Sequence, residues 1–201
     1  SFGISTGATT APVVTWEYFS GGSWNTATGG IFSTNANGDT LLLTAADASY
    51  NGSLYRAIVG NGCGPNDTSL VAALTVKNRP QILIPPVDAL VCEGLPVTFG
   101  MDAGITSDPV YKWEVNDGVN GWNPVFGGQY TGAGTDTLTI MPVNSAMHNY
   151  QYRVILGGYC APNDTSAAVT LTVTENAEIT EQPVNAAICE GSDTLFAVSA
   201  G

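Results

Sequence analysis

Apolar and polar positions alternate with a period of two, in short runs, along most of the chain. Leu95, Val97, Phe99 and Met101 alternate with Pro96, Thr98 and Gly100, and Tyr111, Trp113 and Val115 alternate with Lys112 and Glu114. Leu138 and Ile140 sit between threonines, and Tyr150, Tyr152, Val154 and Leu156 repeat the pattern, as do Val169, Leu171 and Val173. A period of two places alternate side chains on opposite faces of a strand, so each run predicts a strand with one face in a core. Turn signals punctuate the runs at Glu93-Gly94, Asn116-Asp117-Gly118, Gly127-Gly128 and Gly157-Gly158. Pro80, Pro85 and Pro86 interrupt the first extended segment, as suits an edge strand. No apolar stripe at helical spacing persists for about 10 residues or more. About seven short strands per roughly 100 residues predict an all-β, antiparallel sandwich.

The same pattern returns every 97 residues. Cys63 recurs as Cys160 and Cys92 as Cys189, each 97 positions later. Pro65-Asn66-Asp67-Thr68-Ser69 returns as Pro162-Asn163-Asp164-Thr165-Ser166, and Leu74-Thr75-Val76 as Leu171-Thr172-Val173. Phe2, Phe99 and Phe196 form a third set in this register. A fixed period of domain length marks one folded unit copied along an array. The division it predicts is a repeat lacking its first strands (1–78), a complete repeat (79–176) and the start of the next (177–201). The chain is therefore expected to be a window of a longer array. Lys77-Asn78-Arg79 and Glu175-Asn176-Ala177 join the units without a Gly/Ser tract, which predicts a semi-rigid end-to-end rod.

Composition changes the picture in two ways. Seventeen acidic against five basic side chains give a net charge of −12, which repels phosphate backbones and anionic headgroups. Nucleic acid and membrane surfaces are thus excluded as expected partners, and no run reaches the ~20 apolar residues of a membrane span. The charge suits solubility of a long exposed polymer, and no dense Asp/Asn loop suggests a calcium site. Few lysines, abundant Thr, Ser, Asn and Gly, and periodic cysteines suggest export to the cell exterior.

The sequence resembles the bacterial immunoglobulin-like repeats of giant surface proteins and adhesins, many of them type IX secretion cargo. The resemblance rests on Ile179-Thr180-Glu181-Gln182-Pro183 leading into Ile188-Cys189-Glu190-Gly191. It continues through Tyr111-Lys112-Trp113-Glu114-Val115, Asp117-Gly118 and Gly121-Trp122, then Leu138-Thr139-Ile140, Tyr150-Gln151-Tyr152-Arg153-Val154, Cys160 and Leu171-Thr172-Val173. It implies an exported array that displays or extends something at the cell surface, with neighbouring copies of the repeat as partners. The chain departs from immunoglobulin domains in carrying Val154 and Ala57 where a core cysteine usually sits. The core is accordingly expected to rest on Trp113, Phe99, Leu138 and Tyr152.

Four cysteines, Cys63, Cys92, Cys160 and Cys189, are the disulfide candidates. In a sandwich the Gly94 turn and the Cys160 loop should lie at opposite ends, roughly 25–35 Å apart for strands of 8–10 residues. A disulfide needs Cα atoms about 4.4–6.8 Å apart. A bond from the turn cysteine of one domain to the loop cysteine of the next is therefore favoured, with an intradomain bond and free thiols as the alternatives. Zinc is not expected, since there is no CxxC pair and His148 is the single histidine. No cofactor is expected, and no catalytic group recurs between copies: His148 has no counterpart in the first and reads as an exposed turn residue.

Trp16 and Trp113 read as core. Trp24 and Trp122, each after a Gly-rich turn, and Phe126 and Tyr130 read either as packing groups or as a flat platform for sugar rings, whose C–H faces stack on aromatic rings. Surface glycans are the partner class that the platform would take. Asn51-Gly52-Ser53, Asn66-Asp67-Thr68 and Asn163-Asp164-Thr165 match the N-glycosylation pattern. Thr40, Thr137 and Thr194, each between Asp and Leu, are similar to the Asp-Thr-apolar sites that some of these bacteria O-glycosylate. The favoured function is a non-catalytic extracellular rod, stalk or filament, with an adhesive carbohydrate-binding array as the alternative.

Overall fold

The computed structural model describes residues 1–6 and 12–201. They form two compact units, Ser1–Asn78 and Arg79–Gly201. In the first, strands β1 (Phe2–Gly3), β2 (Val13–Ser20), β3 (Ser23–Thr26), β4 (Phe32–Thr34), β5 (Thr40–Leu43), β6 (Leu54–Gly60), β7 (Asp67–Thr68) and β8 (Ala72–Ala73) make two sheets. One has the order β3-β2-β6-β7, with β8 also on β6, and the other β1-β5-β4.

The second unit repeats this plan with an added edge. Its strands are β9 (Ala89–Cys92), β10 (Val97–Gly100), β11 (Val110–Asn116), β12 (Trp122–Pro124), β13 (Tyr130–Thr131), β14 (Thr137–Ile140), β15 (Gln151–Gly157), β16 (Asp164–Thr165) and β17 (Val169–Thr174). The larger sheet runs β12-β11-β15-β17-β9 with β16 on β15, and the smaller runs β10-β14-β13. Pairings are antiparallel except β17 with β9, which is parallel and aligns Thr174 with Cys92. Two further strands, β18 (Ile179–Glu181) and β19 (Ser199–Ala200), pair with each other. Single 3₁₀ turns at Ala48–Tyr50 and Ser145–Met147 lead into β6 and β15.

The two faces of the second unit close on Phe99, Trp113, Leu138, Tyr152, Val154, Leu156 and Leu171, each 2% exposed or less. These are the inward positions of the period-two runs, and the four residues expected to carry the core all lie in it. Leu95, assigned by alternation to the second strand of the repeat, is 54% exposed and lies in the turn before β10. Ile82, Ala89 and Val91 pack over one side of this cluster. In the first unit an opening is bordered by Phe2, Trp16 and Tyr55.

The recurrent Asp-Thr-Ser motif is an architectural joint. Ser166 donates its N–H to the Val154 carbonyl at 3.0 Å and accepts the Val154 N–H on its hydroxyl at 3.0 Å. That hydroxyl also donates to the Ala167 carbonyl at 2.8 Å. Ser69 does the same for Ala57, at 2.9 Å in both directions. The side chain thus carries the ladder across the break between β16 and β17, where a buried N–H would otherwise lack a partner. Asp164 accepts the Ile82 N–H at 2.8 Å, which ties down the incoming chain.

One buried pair differs between copies. The Tyr152 hydroxyl lies 3.3 Å from that of Tyr130, and burial pushes its phenol pKa up. The first unit has Phe32 in place of Tyr130, and the buried Tyr55 hydroxyl has no hydrogen-bond partner among the described residues; Ser53 is near it but outside bonding geometry. Tyr152→Phe is expected to cost about 1 kcal/mol, whereas Tyr55→Phe is expected to be neutral or slightly stabilising. Denaturant midpoints of both variants check this, and equal losses would refute it.

Candidate functional site: hairpin aromatics and pole cysteines

The outer face of the larger sheet carries a charged stack beside the β11–β12 hairpin. Arg153 on β15 lies opposite Glu114 on β11, and its guanidinium donates to Glu114 Oε2 at 2.9 and 2.7 Å. Lys112 Nζ reaches Glu114 Oε1 at 2.8 Å. The Arg153 guanidinium carbon sits 4.2 Å over the Trp122 ring. The first unit repeats the arrangement, with Arg56 4.2 Å over Trp24 and bonded to Glu17 at 2.8 Å through Nε. Delocalised charge over an indole face adds attraction to the ion pair and fixes the hairpin.

Alternation places Glu114 on the solvent side of β11, yet it is only 5% exposed. The Lys112 stem, Arg153 and the hairpin cover it. Burial opposes its ionisation, but the hydrogen bonds and charges of Lys112 and Arg153 outweigh that and hold the carboxyl below its ordinary pKa.

The four aromatics considered for a platform are divided between two places. Trp122 and Trp24 are half-buried, each with one ring face under a guanidinium. Phe126 is 82% exposed and shares a cleft of about 530 Å³ with Tyr130. Asp117, Asn120, Asn123 and Tyr150, none of them singled out by the sequence as ligand groups, also line it. Asp117 accepts from the N–H groups of Val119 and Asn120 and from Asn120 Nδ2, at 2.8–2.9 Å, and these bonds hold its carboxyl below the ordinary range.

The Asp-Thr hydroxyls are engaged locally. Thr40 and Thr137 are half-buried, each bonded to the preceding aspartate at 3.0 Å, while Thr194 is exposed. His148 closes the 3₁₀ turn before β15, and its Nδ1 lies 3.2 Å from the Val173 N–H. Among the described residues, no group of three or more His, Cys, Asp or Glu side chains could hold a metal, and no helix is long and apolar enough to cross a membrane.

The cysteines mark the two ends of the complete repeat. Cys92 is exposed beside Thr174, where the chain leaves the unit. Cys160 is half-buried just beyond the opposite end of β15, near where the chain enters: Gly157 pairs with Val110, and Thr106 bonds the Gln81 N–H. Following β15 and β17 at about 3.3 Å per residue separates them by on the order of 30 Å, far beyond disulfide reach. Cys63 and Cys189 are exposed.

Two sheets of this strand order in each unit, closed over a buried tryptophan and a buried tyrosine, and in the second unit a parallel edge pair, define tandem immunoglobulin-like sandwiches. The comparisons agree at the level of fold. An I-band fragment of titin superposes with a TM-score of 0.65 at 14% identity, covering 96% of this chain and 66% of that one. A three-Ig titin variant gives a TM-score of 0.64 at 15% identity, again covering 96% and 66%. Endoglucanase C of Cellulomonas fimi is 26% identical over 172 residues, 86% of this chain and 14% of that protein. The chain therefore spans about a seventh of that relative's length. No family model matches.

Proposed function

We propose that this chain belongs to a non-catalytic array of immunoglobulin-like repeats that builds an extended extracellular rod, stalk or filament of a bacterial surface protein. The observation that carries this reading is the 97-residue recurrence of core and joint residues in both units, with the hairpin tryptophans displaced by a single residue. Entry and exit at opposite ends of the complete repeat favour extension, because each copy hands the chain onward along one axis. The match to only 14% of Endoglucanase C supports a reading in which such repeats form one part of a larger protein.

The cysteine placement supports a covalent staple within the array. The exit-end cysteine of one repeat would join the entry-end cysteine of the next, two thiols passing two electrons and two protons to a protein disulfide of the export compartment. Each staple would resist separation of neighbours under load.

Electron microscopy of unreduced native material tests the reading. The expected result is rods or filaments with a regular axial repeat. Compact particles without such a repeat would overturn it.

A further inference from the structure

The cleft beside Phe126 is a feature that the rod reading does not use. We propose that it is a binding site for a neutral saccharide, present in the 79–176 repeat and closed in the first unit.

Three observations carry this. Phe126 is 82% exposed and stands over a cleft of about 530 Å³, within the size range of small-ligand sites. Tyr130 and Tyr150 complete an aromatic lining of the kind on which sugar C–H faces stack. The polar groups around it include three acceptors beside the tyrosine hydroxyls: the Asp117 carboxylate, ionised and fixed by the turn, and the amide oxygens of Asn120 and Asn123. The Asn123 amide NH₂ is committed within the turn to the carbonyls of Asn120 and Gly121, and that of Asn120 donates one of its hydrogens to Asp117. Acceptors beside an aromatic face match a ligand rich in hydroxyl donors with apolar ring faces. The carboxylate, within a chain of net charge −12, disfavours anionic ligands.

The first unit shows why the site is specific to one repeat. At the register of Val115 it carries Tyr18: both residues pair with the buried tyrosine of the neighbouring strand. The Tyr18 ring lies 5.0 Å from Phe32, the counterpart of Tyr130, and fills the space that Val115 leaves open. Its hairpin turn holds no carboxylate, since Ser20–Ser23 stands in place of Asp117–Gly121 between the corresponding pairs Phe19–Trp24 and Asn116–Trp122.

The test is titration of the full 201-residue chain with neutral gluco-, xylo-, manno- and galacto-oligosaccharides, read by calorimetry and ligand-observed magnetic resonance. At least one series should bind, with Phe126→Ala weakening it about tenfold or more, the scale of one lost stacking contact. Asp117→Asn should weaken it, and Trp24→Ala should leave it unchanged. An unaltered thermal transition in Phe126→Ala, whose ring is exposed, shows that the fold is kept. Absence of binding at millimolar saccharide, or binding indifferent to Phe126→Ala, would overturn the proposal. Binding of charged ligands alone would overturn it too. The rod reading stands or falls separately, on microscopy.

Discussion

Trp113→Ala is expected to remove about 3–5 kcal/mol from the stability of the complete repeat. The indole is 1% exposed, lies between the two sheets, and donates its N–H to the Thr135 carbonyl at 2.9 Å. Truncation loses the transfer free energy of the ring, leaves a cavity that strands on both sides cannot collapse into, and removes the bond to the Thr135 carbonyl. Trp16 makes the same bond to Gly38 at 3.0 Å, but its cluster holds five buried residues among those described, itself included, against fifteen in the cluster that includes Trp113. Trp16→Ala should therefore cost less, because a thinner core has less to lose. Chemical denaturation of each variant checks both statements. A loss below about 1 kcal/mol for Trp113→Ala would mean that this residue does not organise the core.

Glu114→Gln is expected to cost about 2 kcal/mol at neutral pH, since it removes charge from a buried carboxylate that bonds two cations. Its dependence on pH is the sharper signature. The folded carboxyl has a pKa below the ordinary glutamate value, so ionised Glu114 contributes stability at pH above that ordinary value. The contribution fades as pH falls through the depressed value, where folded and unfolded forms both become protonated. Stability of the native chain should thus drop on acidification more steeply than that of Glu114→Gln, and the two curves should converge at low pH. Denaturant midpoints measured across the acid range decide this; parallel curves would show that the carboxylate pairing contributes nothing.

The period-two runs made the inward residues readable, because a residue two places from a buried one points into the same core. Phe99, Trp113, Leu138, Tyr152 and Leu171 were legible for that reason. Glu114 was not: alternation assigns a face to a residue but cannot say what another strand lays over it, and Arg153 is 39 positions away. The aromatics failed to separate for a similar reason. Trp122 and Phe126 follow the same Gly-rich turn, and only pairing geometry puts one under a guanidinium and the other over an open cleft. Asp164 and Ser166 were visible as a recurrent motif, but their work is to bond backbone groups on distant strands, which a motif does not reveal. The cysteine ends were legible because strand length alone separates them.

The central claim, an extended array of repeated sandwiches, is tested most directly by small-angle scattering from unreduced chains of two, three, four and six complete repeats. The account predicts that the maximum dimension grows in proportion to repeat number, by the same increment for each added copy. Growth instead with about the 0.38 power of residue number, the scaling of a single compact body, would contradict it.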